Sequence, residues 1–134
     1  MPQTITPLDI LTSSGRYPDR EASTECSSEV RAAAADLAER VSGLLDALLV
    51  TASVSSGFRS SVTNEKARGA KMSAHMSGQA CDLLDRTGDL ARAIAQRQDL
   101  LERYDLYLES PQHTPGWAHL QSRKTASGNR VFLP

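Results

Sequence analysis

Cysteine is scarce in this chain. Cys26 and Cys81 are the only two among 134 residues, too few for a disulfide framework, and both are expected as reduced thiols. Aromatic residues make up 4% and the formal net charge is -1. A nucleic-acid binder needs a basic surplus for phosphates and aromatic platforms for bases, so no nucleic-acid partner is expected. No apolar run approaches the roughly 20 residues that span a bilayer, so no membrane insertion is expected. Residues 1–12 lack the basic stretch and apolar core of an ordinary secretory signal. With 40% hydrophobic and 23% charged residues, the composition is that of an ordinary globular protein. The length suits one domain with a modest core, and a monomer is expected.

Residues 1–26 contain Pro2, Pro7 and Pro18 among many Ser and Thr. They read as an extended arm with turns, packed on a single domain of residues 27–134. In residues 27–49, Val30, Ala34, Leu37, Val41, Leu44, Leu45 and Leu48 recur at helical spacing, with Ser27 as the cap. Residues 50–58 are rich in Val, Thr and Ser and read as a strand. A short helix over 64–68, ended by Gly69, and a loop over 71–77 follow. Residues 79–84 read as a second strand. Its alternation puts Ala80, Asp82 and Leu84 on one face and Gln79, Cys81 and Leu83 on the other. A second main helix is expected over 88–103, capped by Thr87 or Asp85, then strands over 104–109 and 117–121. The segment 122–134 is polar and basic, with Val131, Phe132 and Leu133 as an anchor. Two main helices packed on a small antiparallel sheet of about four strands make an α+β domain.

Within this frame one stretch carries chemistry. Residues 73–82 read Ser-Ala-His-Met-Ser-Gly-Gln-Ala-Cys-Asp, with an imidazole at His75 and a carboxylate at Asp82. A third candidate, His119, lies in Gly-Trp-Ala-His-Leu-Gln at 116–121. Each residue alone reads more simply as a surface or capping group. Together, two imidazoles and a carboxylate form a ligand set for Zn²⁺ that leaves the fourth position open for water. Strand alternation turns Cys81 away from Asp82, so it reads as a core residue rather than a soft ligand. Trp117 shares a face with His119 and could floor the site.

The pattern His-x-x-Gly-x-Ala-x-Asp, formed by His75, Gly78, Ala80 and Asp82, is followed far downstream by Trp117-x-His119. It resembles the zinc D-Ala-D-Ala carboxypeptidase and peptidoglycan L-alanyl-D-glutamate endopeptidase family. Upstream, Ser56-Gly57-Phe58-Arg59-Ser60 is similar to that family's Ser-Gly-Tyr-Arg-Ser segment. The resemblance covers about half the chain, residues 54–121. It implies the fold shared with the hedgehog signalling domain and one Zn²⁺ held by His75, Asp82 and His119. It also implies hydrolysis of a peptide bond in peptidoglycan stem peptides, as in phage endolysins. Such an enzyme would be made in the cytoplasm and act on the wall after release, or be carried by a virion.

Many members of the family have an acid three positions before the last histidine, where this chain has Gly116. Glu109, at the end of a strand, is the first candidate for the general base. The loop 110–116 would then be an insertion between base and ligand. His113, inside that loop, is the second candidate, as base or transition-state donor, and Asp105 the third. Arg59 could anchor substrate or stabilise the oxyanion through its forked guanidinium, with a structural ion pair as the simpler role. Ser73 matches the family's Ser-x-His and could bind substrate or orient the loop. Gln121, on the face of His119, could contact substrate or be a plain polar strand residue. A different class is also open: a zinc-stabilised cell-wall or protein-binding module on the same fold, without turnover.

Overall fold

The computed structural model describes residues 4–68 and 73–134; Gly69 and the first two residues of the expected 71–77 loop lie outside them. The α+β expectation holds. Among the described residues five α-helices accompany one sheet, with strand order β1-β2-β4-β3-β5.

The first 26 residues are less extended than their prolines suggest. Helix α1 spans Pro7–Thr12. Thr6 Oγ1 accepts from Asp9 N–H at 3.1 Å, and Asp9 Oδ2 accepts from Thr6 N–H at 2.9 Å. That reciprocal capping box, with Pro7 pre-set in the first turn, outweighs a short segment's poor helix nucleation. Ile5, Ile10 and Leu11 are buried in the main core. A 3-10 turn follows at Pro18–Ala22.

Helix α2, Ser28–Leu48, follows its apolar stripe, and Ser27 Oγ accepts from Val30 N–H at 3.2 Å. Strand β1 is only Val54–Ser56, with an irregular register against its neighbour. Helix α3 starts earlier than its sequence suggests, at Ser61–Lys66, because Ser60 caps it through Thr63 N–H. Strand β2 is Ala80–Asp85. The expected second main helix is two, α4 (Asp89–Ala95) and α5 (Gln98–Arg103), parted at Arg97 with φ -120° and ψ 58°. Asp85 caps α4 from the end of β2, accepting from Leu90 and Ala91 N–H, while Thr87 accepts from Asp89 N–H.

Strand β3 is Tyr107–Glu109, and β4 is Gly116–Gln121. The Val131–Phe132 anchor forms β5, a fifth strand parallel to β3; the other pairings are antiparallel. Cys81, Leu83, Leu108, Ala118 and Leu120 are fully buried in the same cluster as the apolar stripe of α2. The opposite face of β2 and β4 carries Asp82 and His119. Among the described residues no helix is long and apolar enough to cross a membrane.

Candidate metal centre

Strand register places the first two ligands. Asp82 and His119 are direct partners across β2 and β4, so period-2 alternation puts both side chains on one face. His75 arrives from the tight turn before β2. That turn is closed by Met76 N–H donating to the Ser73 carbonyl (3.0 Å) and Gln79 N–H to the Ala74 carbonyl (2.9 Å). Ser73 Oγ accepts from His75 N–H at 3.2 Å, so Ser73 orients the loop, and it also lines the cleft. Gly78 has φ +75°, and a Cβ there would lie 2.6 Å from the Val30 carbonyl oxygen. The turn thus rests on α2 in a way only glycine permits.

The three donors His75, Asp82 and His119 are buried, and one ligand atom from each lies within 4.8 Å of the others. Hydrogen bonding fixes which nitrogens face inward. His75 Nδ1 is 2.8 Å from the Gly57 carbonyl, which can only accept, so Nδ1 carries the hydrogen. The lone pair is then on Nε2, 3.4 Å from Asp82 Oδ1. Gln121 Nε2 donates to the Arg123 carbonyl at 2.9 Å, which turns Oε1 toward His119. His119 Nε2–H donates to that Oε1 at 2.8 Å. His119 Nδ1 therefore faces Asp82 Oδ1, at 2.8 Å. In a neutral imidazole held this way, two acceptors would confront each other. Either a proton or a cation must lie between them.

This donor set fits Zn²⁺. Two imidazoles have their outer N–H groups tied to oxygen acceptors, and their lone pairs converge on a carboxylate. The charges of the metal-free chain follow the same logic. Burial, the largest single influence, pushes the Asp82 pKa up. Hydrogen bonds from His119 and His75, and their positive charge, outweigh it and hold Asp82 well below the usual carboxylate range. Burial disfavours protonated His119, but Asp82, Gln121 and Glu109 together raise its pKa.

Arg59 completes the support. Its Nη2 donates to Asp82 Oδ2 at 3.4 Å, its Nε to Ser56 Oγ at 3.1 Å and its Nη1 to Asn64 Oδ1 at 3.5 Å. It forms an ion pair with Asp82 and also lines the cleft. Gln121 lines the cleft too, with its amide engaged by His119 and the Arg123 carbonyl. Trp117 is also in the wall, and Cys81 is buried on the far face, where burial pushes its thiol pKa up.

The cleft has a volume of ≈ 510 Å³, and Glu109 lines it. Tyr107 pairs with Gln121 and Leu108 with Leu120; one residue further, that register sets Glu109 opposite His119. Burial raises the Glu109 pKa, opposed by the charge of His119. His113 ends an exposed 3-10 turn, Pro111–His113, and does not line the cleft. Asp105 pairs outside it with Arg130 and Arg40. Gly116 has φ +99°, so an acid at that position would be strained.

Sequence reasoning missed three contributors. The Gly57 carbonyl that holds His75 is backbone and has no side-chain signature. A Cβ on Gly57 would sit 2.0 Å from the Ile10 carbonyl oxygen, so the N-terminal segment props this wall. Phe132 places its ring edge-on to His119, with centroids 6.0 Å apart. Arg123 also lines the cleft, and its place two residues after Gln121 was the available signal.

A buried His-Asp-His set at the base of an open cleft, on an α+β sheet, is the architecture of a single-zinc hydrolase. Residues 14–113, well over half of the chain, match the Peptidase M15 family, and the chain belongs to that family of zinc-dependent metallopeptidases. The matched span includes Arg59, His75, Asp82 and Glu109 and stops before β4, so His119 joins the set through the Trp117-x-His119 pattern and the geometry rather than through the family match. No curated protein and no solved structure matches the chain.

Proposed function

We propose that the protein hydrolyses a peptide bond in bacterial peptidoglycan stem peptides, in wall lysis or remodelling of the phage-endolysin kind. The observation that carries the catalytic reading is Glu109 in the same cleft as three converging, buried donors. His75 Nε2, His119 Nδ1 and an oxygen of Asp82 would hold Zn²⁺, which when bound supplies a Lewis acid and acidifies a water. Glu109 then takes the proton from the attacking water and delivers it to the leaving amine. In the metal-free chain partial burial raises the proton affinity of Glu109, and a bound Zn²⁺ would oppose that shift. Arg59 fixes the outer oxygen of Asp82, leaving Oδ1 facing the two imidazoles. Trp117 and Phe132 wall the cleft.

The test is release of soluble fragments from purified cell walls by zinc-loaded protein, with and without a chelator. Mass spectrometry of the fragments identifies the bond cut. Glu109→Gln keeps the shape but loses the basicity, and should bind zinc normally while turnover falls by about a hundredfold. Zinc-loaded wild type that releases nothing would refute the peptidase reading and favour the binding module. Near-normal turnover in Glu109→Gln, with loss in His113→Ala, would move the base to His113.

A further inference from the structure

One peptide group links the N-terminal segment to the metal centre. Phe58 N–H donates to the Ile10 carbonyl at 2.8 Å. The carbonyl of that same peptide group, Gly57 C=O, accepts from His75 Nδ1–H at 2.8 Å. A planar trans peptide points its N–H and C=O in opposite directions, so this group is held between α1 on one side and a ligand ring on the other. Hydrogen bonds in such a chain polarise one another. Arg59 N–H also donates to the His75 carbonyl at 3.2 Å, so one short stretch holds His75 by both ring and backbone.

The neighbouring peptide groups are fixed from the same side. Gly57 N–H donates to Ser13 Oγ at 3.1 Å. Arg20 Nη1 donates to Ser13 Oγ and to the Phe58 carbonyl, each at 3.2 Å. Arg20 in turn stacks on Tyr17, 3.8 Å from the ring centroid, which restricts its guanidinium. At the start of β1, Val54 N–H donates to Ser14 Oγ at 2.9 Å. Ser13 and Ser14 present these hydroxyls from an unusual backbone: both are left-handed, with φ 53° and 56°. That conformation is costly for residues with a Cβ and persists where surrounding contacts over-determine it. Here those contacts converge on the wall behind His75.

We propose that Ser13 and Arg20 are positioning residues of the metal centre. They act through the Gly57–Phe58 peptide group, which holds His75 with its Nε2 lone pair toward Asp82. Neither residue lines the metal cleft. Ser13 carries most of the effect, because its buried hydroxyl accepts from both Gly57 and Arg20. The segment that reads in sequence as an arm is therefore part of the site. The inference rests on His75 as a zinc ligand and is independent of which bond is cut.

The experiment uses the full chain in two states. Zinc-loaded protein gives metal affinity by chelator competition, and metal-free protein gives exchange of the His75 Nδ1 hydrogen by NMR. Ser13→Gly removes the acceptor but suits the left-handed backbone, so the loss falls on Gly57 and Arg20 rather than on the turn. It should weaken zinc binding by about fivefold or more, the lower end for a buried donor left unpaired, and speed that exchange. Ile94→Val, a core truncation in α4, is the control for stability alone. It should keep zinc affinity within about twofold of wild type, with exchange unchanged. Zinc affinity of Ser13→Gly within about twofold of wild type, unchanged exchange, or the same changes in Ile94→Val would each overturn the positioning role. If Ser13→Gly does not fold, Arg20→Met decides: faster exchange of the His75 hydrogen supports the role, and unchanged exchange refutes it. Wild type that binds no zinc would refute the metal reading, and the exchange comparison would then decide the positioning role by itself.

Discussion

Gln121→Leu tests the logic of the metal centre most directly. The substitution puts an apolar side chain of similar bulk at a buried position and removes one amide. That amide accepts from His119 Nε2–H and donates to the Arg123 carbonyl, so a buried donor and a part-buried acceptor lose their partner. The consequence for metal is specific. With no acceptor at Nε2, the imidazole can place its hydrogen on Nδ1 instead and donate it to Asp82 Oδ1, 2.8 Å away. In that tautomer the ligand lone pair points outward and must be recovered before metal binds. A buried donor left unpaired costs about 1–3 kcal/mol, which corresponds to a loss of metal affinity of about fivefold to about 150-fold. Competition against a zinc chelator of known affinity measures this. Gln121→Glu, which keeps the acceptor, should hold zinc at least as tightly as wild type. Zinc affinity in Gln121→Leu within about twofold of wild type would refute the argument that Gln121 sets the ligand tautomer.

Three further outcomes are expected. Metal analysis should find about one zinc per chain, and His119→Ala should lose most of it, because two donors cannot sustain the site; full occupancy in His119→Ala would remove His119 from the ligand set. Arg59→Ala strips a buried partner from Asp82 and should lower stability by about 3 kcal/mol in denaturant titration, with weaker zinc binding; unchanged stability and zinc affinity would show that Asp82 does not depend on the pair. In chelator-treated protein, the raised His119 pKa contributes stability that is fully present below about pH 6.5 and lost as pH rises through the folded value. Its thermal midpoint should therefore fall from about pH 6.5 upward, whereas the zinc-loaded protein should weaken as acid competes for the ligands. A metal-free midpoint that rises across that window would contradict the protonated His119–Asp82 pair.

The amino-acid sequence by itself determined what depends on short spacing. The apolar stripe of α2 is periodic over 21 residues, so the helix is legible wherever it packs. Alternation along β2 separated Asp82 from Cys81, and the structure keeps Asp82 with His119 while burying Cys81 in the core. The ligand types and their spacing pointed to a metal before any fold was known. Local chemistry also misled where two signals compete. The prolines at the start suggested an arm, but the Thr6–Asp9 capping box made a helix, and Ile10 and Leu11 gave it a core to join. The apolar positions after Gly88 suggested one helix, but the backbone at Arg97 breaks it into two.

Only the tertiary structure decided the electronic state of the site. The hydrogen of His75 is placed by a backbone carbonyl 18 residues away, and Arg59 is turned onto Asp82 across 23 residues. The position of Glu109 relative to His119 follows from the register of β3 on β4, not from its ten-residue distance along the chain. These relations are legible only after the chain has closed its loops, because a carbonyl has no side-chain signal and a register belongs to two strands at once. Residue types and spacing specify which atoms can bind a metal; long-range backbone contacts specify which lone pairs face it.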